Sequence, residues 1–324
     1  MKLLVTGGAG FIGSNFIHYY LNEHPNSHII NYDQLTYAGN LENLAPLMNN
    51  LNYSFIKGDI TNYELLHHIV NTYQVDVIVN FAAESHVDRS IVESTKFTHT
   101  NIQGTQTLLE VAKNNHIKKF IQISTDEVYG SLGDDGYFTE ETPLAPNSPY
   151  SASKAAADLL VRSYRETYGM NINITRCSNN YGPYQFPEKL IPLMITNALD
   201  GQKLPVYGDG KNIRDWLHVK DHCSAIDLVI EKGVSGEVYN IGGNNEYTNI
   251  EIVEKIVDYL SAPKELITFV EDRLGHDYRY AIDSTKIKNE LGWEPTYSFE
   301  DGIRETIEWY LTHQDWWKKL KNYT

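Results

Sequence analysis

The sequence predicts an α/β fold: a Rossmann-like, doubly wound parallel sheet with a smaller α/β domain toward the C-terminus. Three observations predict it. Apolar strand-like runs alternate with helical stretches up to about residue 176. The first strand runs into a glycine-rich turn, Gly7-Gly8-Ala9-Gly10-Phe11-Ile12-Gly13. The second ends in an acid, Asp33, roughly 20 residues beyond that turn.

In order, residues 2–6 read as a buried strand, and an apolar-periodic helix runs from 11 to about 21. Glycines 7, 10 and 13 allow the backbone close to a pyrophosphate, which the helix N-terminus then favours electrostatically. A glycine triplet alone is a weak signal. Strand, turn and helix together, with Asp33 ending the strand 28–32 where an acid binds ribose hydroxyls, make a dinucleotide site. No arginine follows Asp33 to receive a 2′-phosphate, so NAD is favoured over NADP.

The third strand, 53–57, ends at Gly58-Asp59-Ile60, and Thr61-x-x-Glu64 reads as a capping box opening the next helix. The fourth, 75–81, leads into Ala82-Ala83-Glu84-Ser85-His86-Val87-Asp88, and a long helix is expected over 95–114. A buried strand over 121–124 then passes directly into Thr125, Asp126 and Glu127. Ligands of open parallel sheets bind beyond the carboxyl ends of strands, so a hydroxyl and two carboxyls there are placed for chemistry. Tyr150-Ser-Ala-Ser-Lys154 opens a helix to 168, and its i,i+4 spacing puts phenol and ammonium on one face. A neighbouring lysine favours the phenolate, otherwise rare against a reference pKa of about 10. Taken singly, Tyr-x-x-x-Lys is common on surface helices and Asp-Glu is often only a cap. Their order behind a dinucleotide signature makes them a catalytic set.

A strand over 171–176 completes the alternation. The loop Asn179-Asn180-Tyr181-Gly182-Pro183-Tyr184-Gln185-Phe186-Pro187-Glu188-Lys189 is rich in turn formers and aromatics, as suits a segment folding over a ligand. Helices are expected at 189–199, 219–231, 249–260 (capping box Thr248-x-x-Glu251) and 299–314, with a polar loop over 272–280. His218 and His222 mimic half of a metal site, but no third ligand stands at a recognised spacing; Asp221-His222 reads as a helix cap and no metal is expected. The tryptophans at 309, 316 and 317 read as packing.

Composition narrows the partners. A net charge of −15 over 324 residues, with no basic block beyond Lys318-Lys319-Leu320-Lys321, argues against nucleic acid and anionic membranes. Two cysteines, Cys177 and Cys223, make no disulfide framework. No apolar run reaches membrane-spanning length and no signal peptide is read at the start, so a cytoplasmic setting is expected.

With these residues in hand, the chain resembles the extended short-chain dehydrogenase/reductases, and within them the dTDP-glucose 4,6-dehydratase family, over nearly its full length. The glycine turn, Asp33, Tyr150 and Lys154 are shared with nucleotide-sugar epimerases. Thr125-Asp126-Glu127, the 82–86 segment, the 179–192 segment and the 272–280 loop are the specific part. The resemblance implies an NAD-dependent hydro-lyase of 6-deoxysugar biosynthesis, such as that leading to dTDP-L-rhamnose. By residue-wise analogy, catalysis falls to Thr125, Asp126, Glu127, Tyr150 and Lys154. NAD, tightly bound and regenerated, is implied to contact Gly7, Gly10, Phe11, Ile12, Gly13, Asp33, Gln34, Leu35, Thr36, Asp59, Ile60, Ala82, Ala83, Glu84, Ser85, Thr100, Tyr150, Lys154 and Asn180. The nucleotide sugar is implied to contact His86, Thr125, Asn179, Glu188, Lys189, Leu190, Pro205, Tyr207, Arg214, Asn249, Arg273, His276 and Tyr280. Arg214 suits the diphosphate, as a planar fork binds phosphate bidentately, and Tyr207 offers a stacking surface for the base. The resemblance further implies a homodimer formed through the 95–114 and 151–168 helices. The expected division is an NAD-binding unit, 1–176 plus about 215–240, and a nucleotide-sugar unit, 177–214 plus about 241–324.

Two other readings stand beside this one. An epimerase needs the tyrosine and lysine but has no use for the Asp126-Glu127 pair. A cofactor-binding scaffold without chemistry has no reason to keep all five catalytic residue types in register.

Overall fold

A computed structural model describes residues 1–321. Its main sheet is all parallel, in the order β10-β6-β5-β4-β1-β2-β3, with β1 Lys2–Thr6, β2 His28–Asp33, β3 Tyr53–Lys57, β4 Val77–Asn80, β5 Lys119–Thr125, β6 Ile172–Cys177 and β10 Val238–Ile241. Chain order reverses between β1 and β4, the switch point where such sheets open a crevice at their carboxyl ends. Apart from the edge strand β3, the strands are buried on both faces, which is why they read as apolar runs rather than alternating ones. In β1, Leu3 and Val5 pack into the core with Phe16, Ile17 and Ile226, while Leu4 packs the opposite core with Ile78, Leu109 and Val161.

Helices clothe the sheet: α1 Phe11–Glu23, α2 Tyr63–Tyr73, α3 Val87–Val92, α4 Ser94–Phe97, α5 Thr105–Asn114, α6 Pro149–Tyr168, and α8 Val219–Lys232 after α7 Leu190–Leu199. A second body is built by α7, β7 Asn179–Tyr181, β8 Leu204–Tyr207, β9 Ile213–His218, β11 Glu246–Thr248, α9 Asn249–Leu260, β12 Ile267–Val270, α11 Phe299–Thr312 and α12 Gln314–Lys321. Its strands form two small sheets, β11-β9-β7 and β12-β8, and α10 Thr285–Leu291 returns to pack beside β10. Trp309, Trp316 and Trp317 belong to its core or pack against it, and Trp316 Nε1 donates to Asn43 Oδ1 at 2.9 Å.

Local differences from the sequence reading have physical causes. Helix α2 is capped by Asn62, whose Oδ1 accepts from Leu65 N at 3.1 Å, not by a box from Thr61. Thr61 is unavailable because its N–H and hydroxyl both donate to Asp59 Oδ1, each at 2.8 Å. The helix expected over 95–114 is a π-helical stretch, Thr98–Gly104, between α4 and α5. π-turns gather at functional sites, and this one carries Thr100 and Asn101, whose side chain clamps the backbone of Glu84 on both sides (2.9 and 3.0 Å) and donates to Ser153 Oγ at 2.8 Å. Asp221 and His222 do not cap a helix. Asp221 accepts from Thr296 and Tyr297, and His222 Nδ1 meets Asn180 Oδ1 at 2.9 Å. The short helices α3, α10 and α12 were not expected, nor was the extension of β5 one residue into Thr125. No helix among the described residues is long and apolar enough to cross a membrane.

Candidate active site

The ends of β1, β2, β4, β5 and β6 open on a cavity of about 310 Å³. Of the residues assigned to NAD, all line it except Leu35 and Asp59. Those two shape its wall from behind: Leu35, at φ 57°, donates its N–H to Asp33 at 2.7 Å, and Asp59 accepts from Gln34 Nε2 at 3.0 Å. The glycine turn is as tight as its sequence implies. Gly7 has φ +69°, and a Cβ on it would stand 2.6 Å from Ala82 N; one on Gly13 would stand 2.4 Å from Gly7 O. Helix α1 begins at Gly10 with no side-chain cap and no acid in its first turn, which leaves its N–H groups for an anion. Asp33 accepts from Ala9 N at 2.9 Å and so fixes the end of β2 against the turn; burial pushes its carboxyl up while the two N–H donors hold it down. This donor and cradle set fits a dinucleotide.

Thr125, Asp126, Glu127, Tyr150 and Lys154 all line the same cavity. The first three lie where β5 gives way to a helical turn, Asp126–Tyr129, on which Thr125 Oγ1 accepts from Glu127 N at 3.3 Å. Tyr150 and Lys154 lie in the first turns of α6, held by Ser148 and Ser151 in a reciprocal capping box opened by Pro149. Asp126 is 2 % exposed, and its Oδ2 is buried without a hydrogen-bond partner. Leaving an ionised oxygen so would be costly. Burial first, then the charges of Glu127 and Asp215, push its pKa well above the carboxylate range. Burial also raises Glu127, but Lys189 and Arg214 pull it back. The environments thus separate two adjoining carboxyls, one kept neutral and one more readily ionised.

Tyr150 departs from the simple tyrosine–lysine picture. The Lys154 ammonium is turned to the Ile123 carbonyl at 2.6 Å. Burial, with the charge of Glu127, holds the phenol well above its ordinary value, and burial lowers the Lys154 ammonium. A phenolate here needs a further positive charge brought against it.

A second cavity, of about 380 Å³, shares Ser85, Glu127, Asn179, Asn180, Gln185, Glu188 and Lys189 with the first. Every residue assigned to the nucleotide sugar lines it except Thr125, which faces only the first. Arg214 is buried with its guanidinium over the Tyr280 ring at 4.3 Å and bonded to the carbonyls of Ile213 and Asp277 (2.7 and 2.9 Å). Tyr207 remains exposed, with Arg273 5.2 Å over its ring. Arg273 itself reaches Asp88 at 2.5 Å, and His276 Nδ1 lies 2.6 Å from Asp272. His86 is held neutral, its pKa lowered to about 4 by burial and Lys189. Lys189 Nζ donates to Ser85 O at 2.9 Å, joining the 179–189 loop to the end of β4.

Several lining residues gave no signal in the sequence. Phe81, Ser124, Cys177 and Ser178 border the first cavity because strand ends and the 179–189 loop converge there. Among the described residues, three possible metal ligands come together only at His24, Asp227 and Glu231, where His24 already pairs with Asp227 at 2.9 Å; none of the three lines either cavity.

With this geometry in view, comparison with known proteins is informative. Residues 4–306 match the family described as GDP-mannose 4,6 dehydratase. A dTDP-glucose 4,6-dehydratase of Xanthomonas campestris pv. campestris is 54% identical over 331 residues, covering 97% of this chain and 94% of that one. The crystal structure of dTDP-glucose 4,6-dehydratase from Bacillus anthracis, in complex with NAD, superposes with a TM-score of 0.93 at 60% identity, covering 99% of each chain. The UDP-glucose 4-epimerase of Thermotoga maritima gives a TM-score of 0.90 at 30% identity over 97% of this chain and 100% of that one. Fold alone therefore does not separate dehydratase from epimerase.

Proposed function

The chain belongs to the GDP-mannose 4,6 dehydratase family, and from that premise we infer that it converts dTDP-glucose to dTDP-4-dehydro-6-deoxyglucose and water, using NAD as a resident cofactor. It is an NAD-dependent hydro-lyase of 6-deoxysugar biosynthesis. The observation that carries this reading is the buried, unpartnered Asp126 oxygen beside Glu127, in the same cavity as Tyr150. An epimerase has no step that uses such a pair.

NAD+, when bound, would supply a reversible hydride acceptor and the positive charge that a Tyr150 phenolate needs. Tyr150 takes the proton of the sugar's 4-hydroxyl as C4 is oxidised, and Thr125 hydrogen-bonds the same oxygen. Lys154 holds the base of this arrangement through Ile123. The resulting C4 ketone acidifies C5, from which Glu127 removes a proton. Asp126, neutral, gives a proton to the C6 hydroxyl, which leaves as water. Glu127 then returns a proton to C5 when C6 is reduced. We assign NAD-holding to a unit of 1–176 plus about 215–240 and sugar-nucleotide binding to the rest, whose 177–189 segment also reaches the first cavity. Arg214 and Arg273 suit the diphosphate, and Tyr207 the base.

We propose a cytoplasmic homodimer, paired through the 94–114 rod and α6. Leu159 stands 56% exposed on α6, an apolar contact such a helix would cover, and two free buried cysteines suit a reducing compartment. Leu159→Arg should move the protein from dimer to monomer mass in light scattering after gel filtration; a monomeric parent would overturn the pairing.

The direct test of the function is incubation of purified protein with dTDP-glucose and no added cofactor or reductant. Because the cofactor ends each turnover as it began, the protein should retain NAD through purification and form the 4-dehydro-6-deoxy product. Accumulation of reduced nicotinamide in step with product would mark a net dehydrogenase and overturn the reading.

A further inference from the structure

We propose that Tyr37, Arg89 and Glu188 form a clasp over the cofactor cavity, with Tyr37 and Arg89 as positioning residues that retain the dinucleotide. The proposal rests on the NAD reading above. Its members come from three separated stretches of chain. Tyr37 lies in the loop after β2, where its neighbours Asp33, Gln34, Thr36, Ala38 and Gly39 line the cavity. Glu188 lies in the 179–189 loop and lines both cavities. Arg89 lies on α3, which His86 starts by accepting from Arg89 N.

The three meet pairwise. The Tyr37 hydroxyl donates to Glu188 Oε1 at 3.0 Å, and Arg89 Nη2 donates to Glu188 Oε2 at 3.3 Å. The Arg89 guanidinium carbon stands 3.6 Å from the centre of the Tyr37 ring, within cation–π range. Both oxygens of Glu188 are therefore engaged, and each member touches the other two. The Phe186 ring meets Tyr37 edge-on at 5.6 Å. The Glu188 side chain is only 11% exposed while that of Arg89 is 44% exposed, so the triangle is anchored inside and ends at solvent.

The consequence concerns release. One wall of the cavity, residues 33–39, is tied to another, residues 186–189, by contacts that involve no catalytic residue. A dinucleotide leaving the cavity has to part these walls, so the clasp sets a barrier to exit. A cofactor regenerated in each turnover benefits from slow exit, whereas one exchanged in each turnover would be hindered by it.

The test is exchange of bound NAD against isotopically labelled NAD, read by mass spectrometry after rapid desalting. Tyr37→Ala and Arg89→Ala should each exchange about 10-fold faster or more, as expected for losing a hydrogen bond to a charged acceptor. Tyr37→Phe, which keeps the ring under Arg89 and removes only the hydroxyl, should fall between them and the parent and guards against a misfolded alanine variant. Saturating NAD should restore turnover lost through emptied sites. Exchange at the parental rate in both Tyr37→Phe and Arg89→Ala overturns the clasp while leaving the cofactor assignment intact. A parent protein that carries no NAD overturns that assignment, and the clasp with it.

Discussion

Tyr150→Phe should all but block the first chemical step, so that reduced nicotinamide forms far more slowly than in the parent in a single turnover with dTDP-glucose. Tyr150 is buried on α6 in the cavity that Thr125 and the glycine turn also line, and phenylalanine fills its volume without its oxygen. The loss should be the roughly 10²–10⁴-fold that a positioned base contributes. The structure adds a condition. Burial and the charge of Glu127 hold the phenol high, so ionisation is tied to oxidised cofactor being present. The parent's single-turnover rate should rise with pH until Tyr150 ionises, and Tyr150→Phe should lose that limb. Stopped-flow absorbance of reduced nicotinamide reads both; near-parental rates in Tyr150→Phe would place the base elsewhere.

Asp126→Asn should separate oxidation from elimination. The amide is nearly isosteric, and the residue lies beyond the end of β5 rather than in the sheet core, so fold and cofactor should survive. Oxidation at C4 uses Tyr150 and should continue. Protonation of the leaving hydroxyl should fail, and water loss should slow by roughly 10²–10⁴-fold. Single-turnover mixing should therefore show reduced nicotinamide appearing and persisting. The pH sign follows from the raised pKa: Asp126 is neutral below it and loses its proton above it, so elimination in the parent should fall as pH rises through that value. The variant should lack that fall. Elimination at the parental rate in Asp126→Asn would reduce Asp126 to a spectator.

Much of the site was legible because it hangs on strand ends. A glycine turn after the first strand, an acid after the second and a Thr-Asp-Glu run after the fifth fix positions that an open parallel sheet brings together by topology alone. Local hydrogen-bond choices were not legible. Thr61 and Asn62 are both good caps, and only the Asp59 carboxylate, which takes the Thr61 hydroxyl, decides between them. The π-helical stretch before α5 has the residue types of an ordinary helix, and the clamp of Asn101 on Glu84 becomes visible only in three dimensions. Tyr37 and Glu188 are 151 residues apart and carry no shared pattern. Spacing places Lys154 on the same helix face as Tyr150, but that the Ile123 carbonyl draws its ammonium is visible only in three dimensions.

The central claim is that the hydride removed from C4 returns to C6 of the same sugar while the carboxyl pair removes water between the two transfers. dTDP-glucose deuterated at C4 tests this most directly. The account predicts that the deuterium is found at C6 of the 4-dehydro-6-deoxy product, with C5 carrying hydrogen from solvent. Deuterium remaining at C4, or carried away on released reduced cofactor, would contradict it.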